Sequence, residues 1–208
     1  MKHEIVCNEE VNMSDSLMVE QESNHLIISN KNVCTKLLSQ DDLSQNDIID
    51  LYIALHLVLE ISLNSLHRSI SLTLLRKNVD RLEVIENVDN IGFIEKTTLF
   101  IYNSKFNFQN NDAEAINYHS LIGTLKNFSF IRNRLLHGHS IRTIIDEGDA
   151  RHSKIKQKMN IEDLKEQISK LRFIFEGMRF YLDNLDLDLS KDQINQLKQL
   201  YLNDDFLV

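Results

Sequence analysis

DIIDLYIALHLVLEISLNSLHRSISLTLLRK, residues 47–77, is the stretch that decides the fold. Ile48, Leu51, Tyr52, Leu55, Leu59, Leu63, Leu66 and Ile70 recur every three or four residues. That spacing places side chains on one face of an α-helix. One long amphipathic helix from Asp47 to about Lys77 accounts for the whole stretch. Its most apolar part, Leu51 to Leu63, is interrupted by His56 and Glu60, and is too short to span a bilayer.

Outward from this helix, NVDNIGFIEKTTLFIYN (87–103) holds Gly92 and a β-branched cluster, and reads as a connector with room for a short helix. A second long helix is expected from Asn111, with Glu114 as capping-box partner and Ile116, Leu121, Leu125, Phe128 and Ile131 or Leu135 along its stripe. It ends at Gly138 or continues towards Ile145. DEGDARHSKIKQK (146–158) has little to bury and is expected to be a mobile loop. A third long helix is expected from about Asn160, capped towards Asp163, with Ile161, Leu164, Ile168, Leu171, Phe175, Met178 and Leu182 on one face. Ser190 and Gln193 form a capping-box pair that starts a fourth, shorter helix carrying Ile194, Leu197, Leu200 and Tyr201. No alternating strand pattern and no internal repeat competes with these. The expected fold is all-α, an antiparallel helical bundle over residues 46–187. A polar, acidic leader (1–45) with one helix near Leu26 to Leu38 precedes it, and a C-terminal helix (188–208) packs on it.

Composition agrees. The chain has 208 residues, no proline and five glycines, where average usage gives about ten prolines and fifteen glycines. Turn-rich β-sandwiches and disordered chains are therefore disfavoured. With 42% apolar residues there is enough to bury a core. Cys7 and Cys34 have no CxxC spacing, so neither a disulfide framework nor a thiolate zinc site is supported. The first residues, MKHEIVCNEE, lack an apolar signal region, and the expectation is a soluble, cytoplasmic protein. The net charge of −8 is uneven: residues 1–60 sum to −8, 61–125 to −1, 126–158 to +5 and 159–208 to −4. One basic segment in an acidic chain is more informative than the total.

That basic segment contains Ile131-Arg132-Asn133-Arg134-Leu135-Leu136-His137-Gly138-His139. On an ideal helix Asn133 and His137 share a face, whereas Arg132 and His137 lie about 140° apart around the axis. Their convergence needs the reach of arginine, a distorted helix end or a second copy of the chain. The residue types suit RNA cleavage without a metal. An imidazole titrating near neutrality serves as acid or base. A guanidinium holds phosphate oxygens in a fork and stays charged. Asn133 either hydrogen-bonds a phosphate or orients the imidazole. On spacing alone the same residues also read as basic side chains complementing a helix C-terminus, and chance supplies about one Arg-x(4–6)-His match in a chain of this composition.

RNRLLHG (132–138) in an all-helical chain resembles the signature of the HEPN superfamily, the higher eukaryotes and prokaryotes nucleotide-binding domain. Catalytic members carry Arg-x(4–6)-His, often with a polar residue after the arginine. The match falls on Arg132, Asn133 and His137, and the similarity covers about 47–185. The resemblance implies a metal-independent endoribonuclease that leaves 2′,3′-cyclic phosphates. Two protomers would pair so that both copies of the motif line one cleft. It also implies a toxin or antiphage defence effector with an antitoxin or defence-system partner. Many relatives lack the catalytic pair and act as partner-binding or nucleotide-binding modules.

The candidate catalytic residues are thus Arg132, Asn133 and His137. Arg134, His139, Arg142, Arg151 and Lys154 are candidates for contacting RNA, with Lys156 and Lys158 nearby. No cofactor is implied. A metal at His137-x-His139 is disfavoured, because on a helix the rings diverge and no nearby Cys or carboxylate completes a site. His56 and His67 read as polar-face or satisfied interface residues, and His119 as structural. A DNA-binding regulator lacks a helix-turn-helix signal.

Overall fold

The computed structural model describes residues 9–73, 80–102, 118–136, 161–184 and 189–207. Every regular element among them is an α-helix: α1 Glu9–Leu38, α2 Gln45–Thr73, α3 Arg81–Asn90, α4 Phe93–Tyr102, α5 Tyr118–Leu136, α6 Ile161–Asp183 and α7 Lys191–Tyr201. The fold is an all-α helical bundle, as the apolar periodicity predicts. The expected helix start at Asn111 and loop at 146–158 lie outside the described residues.

The long apolar helix α2 is the axis. Ser44 and Asp47 start it as a reciprocal pair: Asp47 Oδ2 accepts from the Ser44 amide at 2.9 Å, and Ser44 Oγ accepts from the Asp47 amide at 3.2 Å. Each of the other six described helices packs against α2. Leu51, Tyr52, Leu55, Leu59, Leu63 and Leu66 are fully buried, each contributing about 1.5–3 kcal/mol by removal from water. By length and composition α2 could cross a membrane, but 61% of its most apolar window is buried inside the bundle. It is a core helix.

Two segments differ from the expectation. The short helix near Leu26 to Leu38 is part of the 30-residue α1, and Ile27, Cys34 and Leu37 enter the core beside α2. Polar residues on the inward face hide this in the sequence. Ser23 Oγ accepts from the buried Arg68 at 2.8 Å, and Glu20 pairs with Arg68 Nε at 3.5 Å. The connector at 87–103 does hold a short helix, α4, but it opens on the last turn of another helix, α3, which starts earlier at Arg81. The Asp80 side chain caps α3 by accepting from the amides of Leu82 and Glu83. Within α4, Thr97 and Thr98 turn their hydroxyls onto the carbonyls of Phe93 and Ile94, so the β-branched cluster is compatible with a helix.

Leu121, Leu125, Phe128 and Ile131 of α5 are buried, as are Leu164, Leu171, Phe175, Met178 and Leu182 of α6. Ile161 and Leu200, expected on buried stripes, are exposed near helix ends. The Ser190–Gln193 capping box on α7 is present, with bonds of 2.8 and 3.2 Å. Beyond α7 the chain returns as a strap whose Leu202, Phe206 and Leu207 are buried. Arg179 donates to the Leu202 carbonyl at 2.6 Å and pairs with Asp204 at 3.0 Å. Lys31 of α1 donates to the Asn203 carbonyl at 2.9 Å and lies 5.1 Å from the Phe206 ring. The strap is thereby tied to both α1 and α6.

Candidate active site

The core stripe of α5 fixes where the motif points. Ile131 faces inward, so Arg132, about 100° further round the helix, emerges at the edge of the interface with α2. There it meets a polar break in the α2 stripe. His56 and Glu60 are one turn apart on α2, and Phe128 and Arg132 one turn apart on α5. They form two rungs between the helices.

In the inner rung the His56 and Phe128 rings lie 3.9 Å apart between centroids, tilted by 46°. His56 is 4% exposed, and its Nε2 has no hydrogen-bond partner. Burial, reinforced by the Arg132 guanidinium, pushes its pKa down to about 3. The ring is neutral at neutral pH.

In the outer rung Arg132 Nη2 donates to Glu60 Oε2 in an ion pair, both side chains being 26% exposed. Arg132 Nη1 donates to Asn133 Oδ1 at 2.8 Å. Arg132 Nε is buried without a partner. Each terminal nitrogen carries a second N–H that no described residue engages. The guanidinium is held at two points, yet keeps donors for an oxyanion. Asn133, expected to contact phosphate or orient an imidazole, instead accepts from Arg132, which does not prevent it from donating through its amide nitrogen.

Arg132 and Asn133 are thus brought together and placed at the α2–α5 edge. The backbone of Arg134 belongs to α5, while its side chain lies outside the described residues, as do His137, His139, Arg142, Arg151 and Lys154. His119 is exposed on α5 and packs edge-on against Tyr118, with centroids 5.1 Å apart. His67 is buried at the α2–α4 interface, its Nε2 3.4 Å from Thr97 Oγ1 and its ring edge-on to Phe100. Burial, with a contribution from Lys96, pushes its pKa down to about 3. Among the described residues no group of three His, Cys, Asp or Glu side chains could hold a metal.

Glu60 and Lys96 belong to this neighbourhood and were not singled out by the motif. Lys96 on α4 is buried. Burial lowers its pKa, while the carboxylates of Asp89 and Glu60 act in the opposite sense. The signal for Glu60 was present in the sequence: with His56 it is the polar interruption of the α2 stripe, at an i, i+4 spacing that gives both one direction. No protein-family model, curated protein or solved structure matches the chain.

Proposed function

We propose that this chain is a metal-independent endoribonuclease of the HEPN type, a cytoplasmic toxin or antiphage effector that cleaves RNA as a homodimer. The observation that carries the reading is the state of Arg132. It is oriented by Glu60 and Asn133, retains N–H donors that no described residue engages, and stands five residues before His137 on a basic segment. The resemblance of RNRLLHG to the HEPN signature supplies the reaction class.

In this reading a 2′-hydroxyl of RNA attacks the adjacent phosphate. The 2′-O–P bond forms and the P–O5′ bond breaks, giving a 2′,3′-cyclic phosphate and a 5′-hydroxyl. One imidazole accepts the 2′-hydroxyl proton and another donates a proton to the departing 5′-oxygen. Two copies of His137, one from each protomer, supply both. Arg132 offers charged donors to the phosphate oxygens as charge builds, while Arg134, His139, Arg142, Arg151 and Lys154 hold the flanking strand.

A second reading, a catalytically silent helical module that binds a protein partner or nucleotide, is favoured by one observation: Arg132 is already ion-paired within the bundle. Labelled single-stranded RNA in excess EDTA separates the two. Cleavage by the parent chain, lost in Arg132→Ala and in His137→Ala, is the expected result. Intact RNA with all three proteins supports the silent module.

A further inference from the structure

A phosphate reaching Arg132 meets an occupied guanidinium. Arg132 Nε is buried, so an incoming oxyanion has access only to the terminal nitrogens. One of these already donates to Glu60 and the other to Asn133. The asparagine is neutral and costs the site no charge. Glu60 is a full negative charge on the very group that would bind phosphate, and it stands at the partly exposed edge where RNA would approach. The inner rung offers no compensation, since the His56 ring is buried. A carboxylate placed there holds the guanidinium still and at the same time repels the ligand.

We infer that Glu60 is an internal competitor for the phosphodiester at Arg132, a carboxylate latch that positions the guanidinium and sets a low affinity for RNA. The inference rests on the proposed role of Arg132 as the phosphate contact. Glu60 touches neither substrate nor reacting atoms and acts through Arg132, so it is a positioning residue. A purely architectural ion pair would hold the same two helices together, but its neutralisation would not strengthen binding of an anion.

The two roles diverge in Glu60→Gln, which keeps an amide oxygen to accept from Arg132 and loses the charge. The probe is a fluorescent single-stranded RNA with 2′-O-methyl groups throughout, which lacks the attacking hydroxyl and is read by anisotropy. Glu60→Gln should bind it about three- to tenfold more tightly than the parent chain. The gain should vanish in the double variant Glu60→Gln/Arg132→Ala, which separates the latch from a general loss of negative charge. Unchanged or weaker binding by Glu60→Gln, or a gain that survives in the double variant, overturns the inference. Thermal melts establish that each variant is folded. If Glu60→Gln does not fold, the parent chain with 15N-labelled arginine answers the question. The Arg132 side-chain resonances, assigned with Arg132→Lys, should move as RNA is added, and unmoved resonances overturn the latch. Natural RNA in excess EDTA is assayed alongside. Tighter binding without cleavage keeps the latch and rejects the nuclease; cleavage with unchanged affinity does the reverse.

Discussion

Arg132 follows Ile131 by one position on α5, and that single step carries the guanidinium from the core to a boundary with two oxygen acceptors in reach. Its identity as a candidate was legible in RNRLLHG; its partner was not, because Glu60 lies 72 residues away and only the packing of α2 on α5 joins them. His56 was legible as an interface histidine, but its unpartnered Nε2 was not. It has a measurable consequence. The folded-state pKa of about 3 lies below the ordinary 6.5, so the unfolded chain takes up a proton first and stability falls as pH drops below about 6.5. His67 acts in the same direction. Replacing His56 by leucine removes one of the two titrations. Between about pH 7 and about pH 5 the parent should lose roughly 2 kcal/mol more stability than His56→Leu, read from urea midpoints at each pH. Parallel losses would show that the ring is not buried as described. At Cys34, burial raises the thiol pKa to about 12, so the thiolate needed for reaction is scarce. In a Cys7→Ser background an aromatic disulfide reagent should label Cys34 only as fast as the chain unfolds; rapid labelling of the native protein would contradict this.

Long apolar stripes make an element readable, and α2, α5, α6 and α7 were found from theirs. The Ser190–Gln193 box also marked the start of α7 correctly, because capping is a local interaction written within four residues. The misread elements had inward faces whose partners are distant. On α1, Glu20 and Ser23 face inward because Arg68 of α2 receives them, so polar letters stand where a core stripe would be apolar. In the 87–103 segment the β-branched cluster left room for only a short helix; α4 is that helix, supported by packing on α2, while α3 before it carried no readable stripe. The strap after α7 is the least legible element, since its anchors Lys31, Arg172 and Arg179 come from two other helices. Its contribution is testable with Leu202→Ala, which removes a fully buried side chain and should cost about 2–4 kcal/mol in urea unfolding. A loss within about 0.5 kcal/mol, typical of surface positions, would mean that the strap is detached in solution.

Charge is distributed unevenly along the chain. The acidic total of −8 surrounds one +5 segment, and the described end of that segment delivers Arg132 to the surface of the bundle beside an acidic competitor. Such a chain would hold RNA weakly except where basic side chains converge, and pairing of two protomers would double that local charge. Binding should therefore weaken with added salt in proportion to the few phosphates contacted. Attack by the 2′-hydroxyl leaves its mark on the ends of the products. Single-stranded RNA and its all-2′-deoxy counterpart are incubated with the full chain in excess EDTA, and product ends are identified by mass. Cyclising cleavage at Arg132 gives RNA fragments carrying 2′,3′-cyclic phosphates, intact DNA, and no fragments with Arg132→Ala. Uncut RNA, equal cutting of the DNA, or cleavage that persists in Arg132→Ala would contradict it.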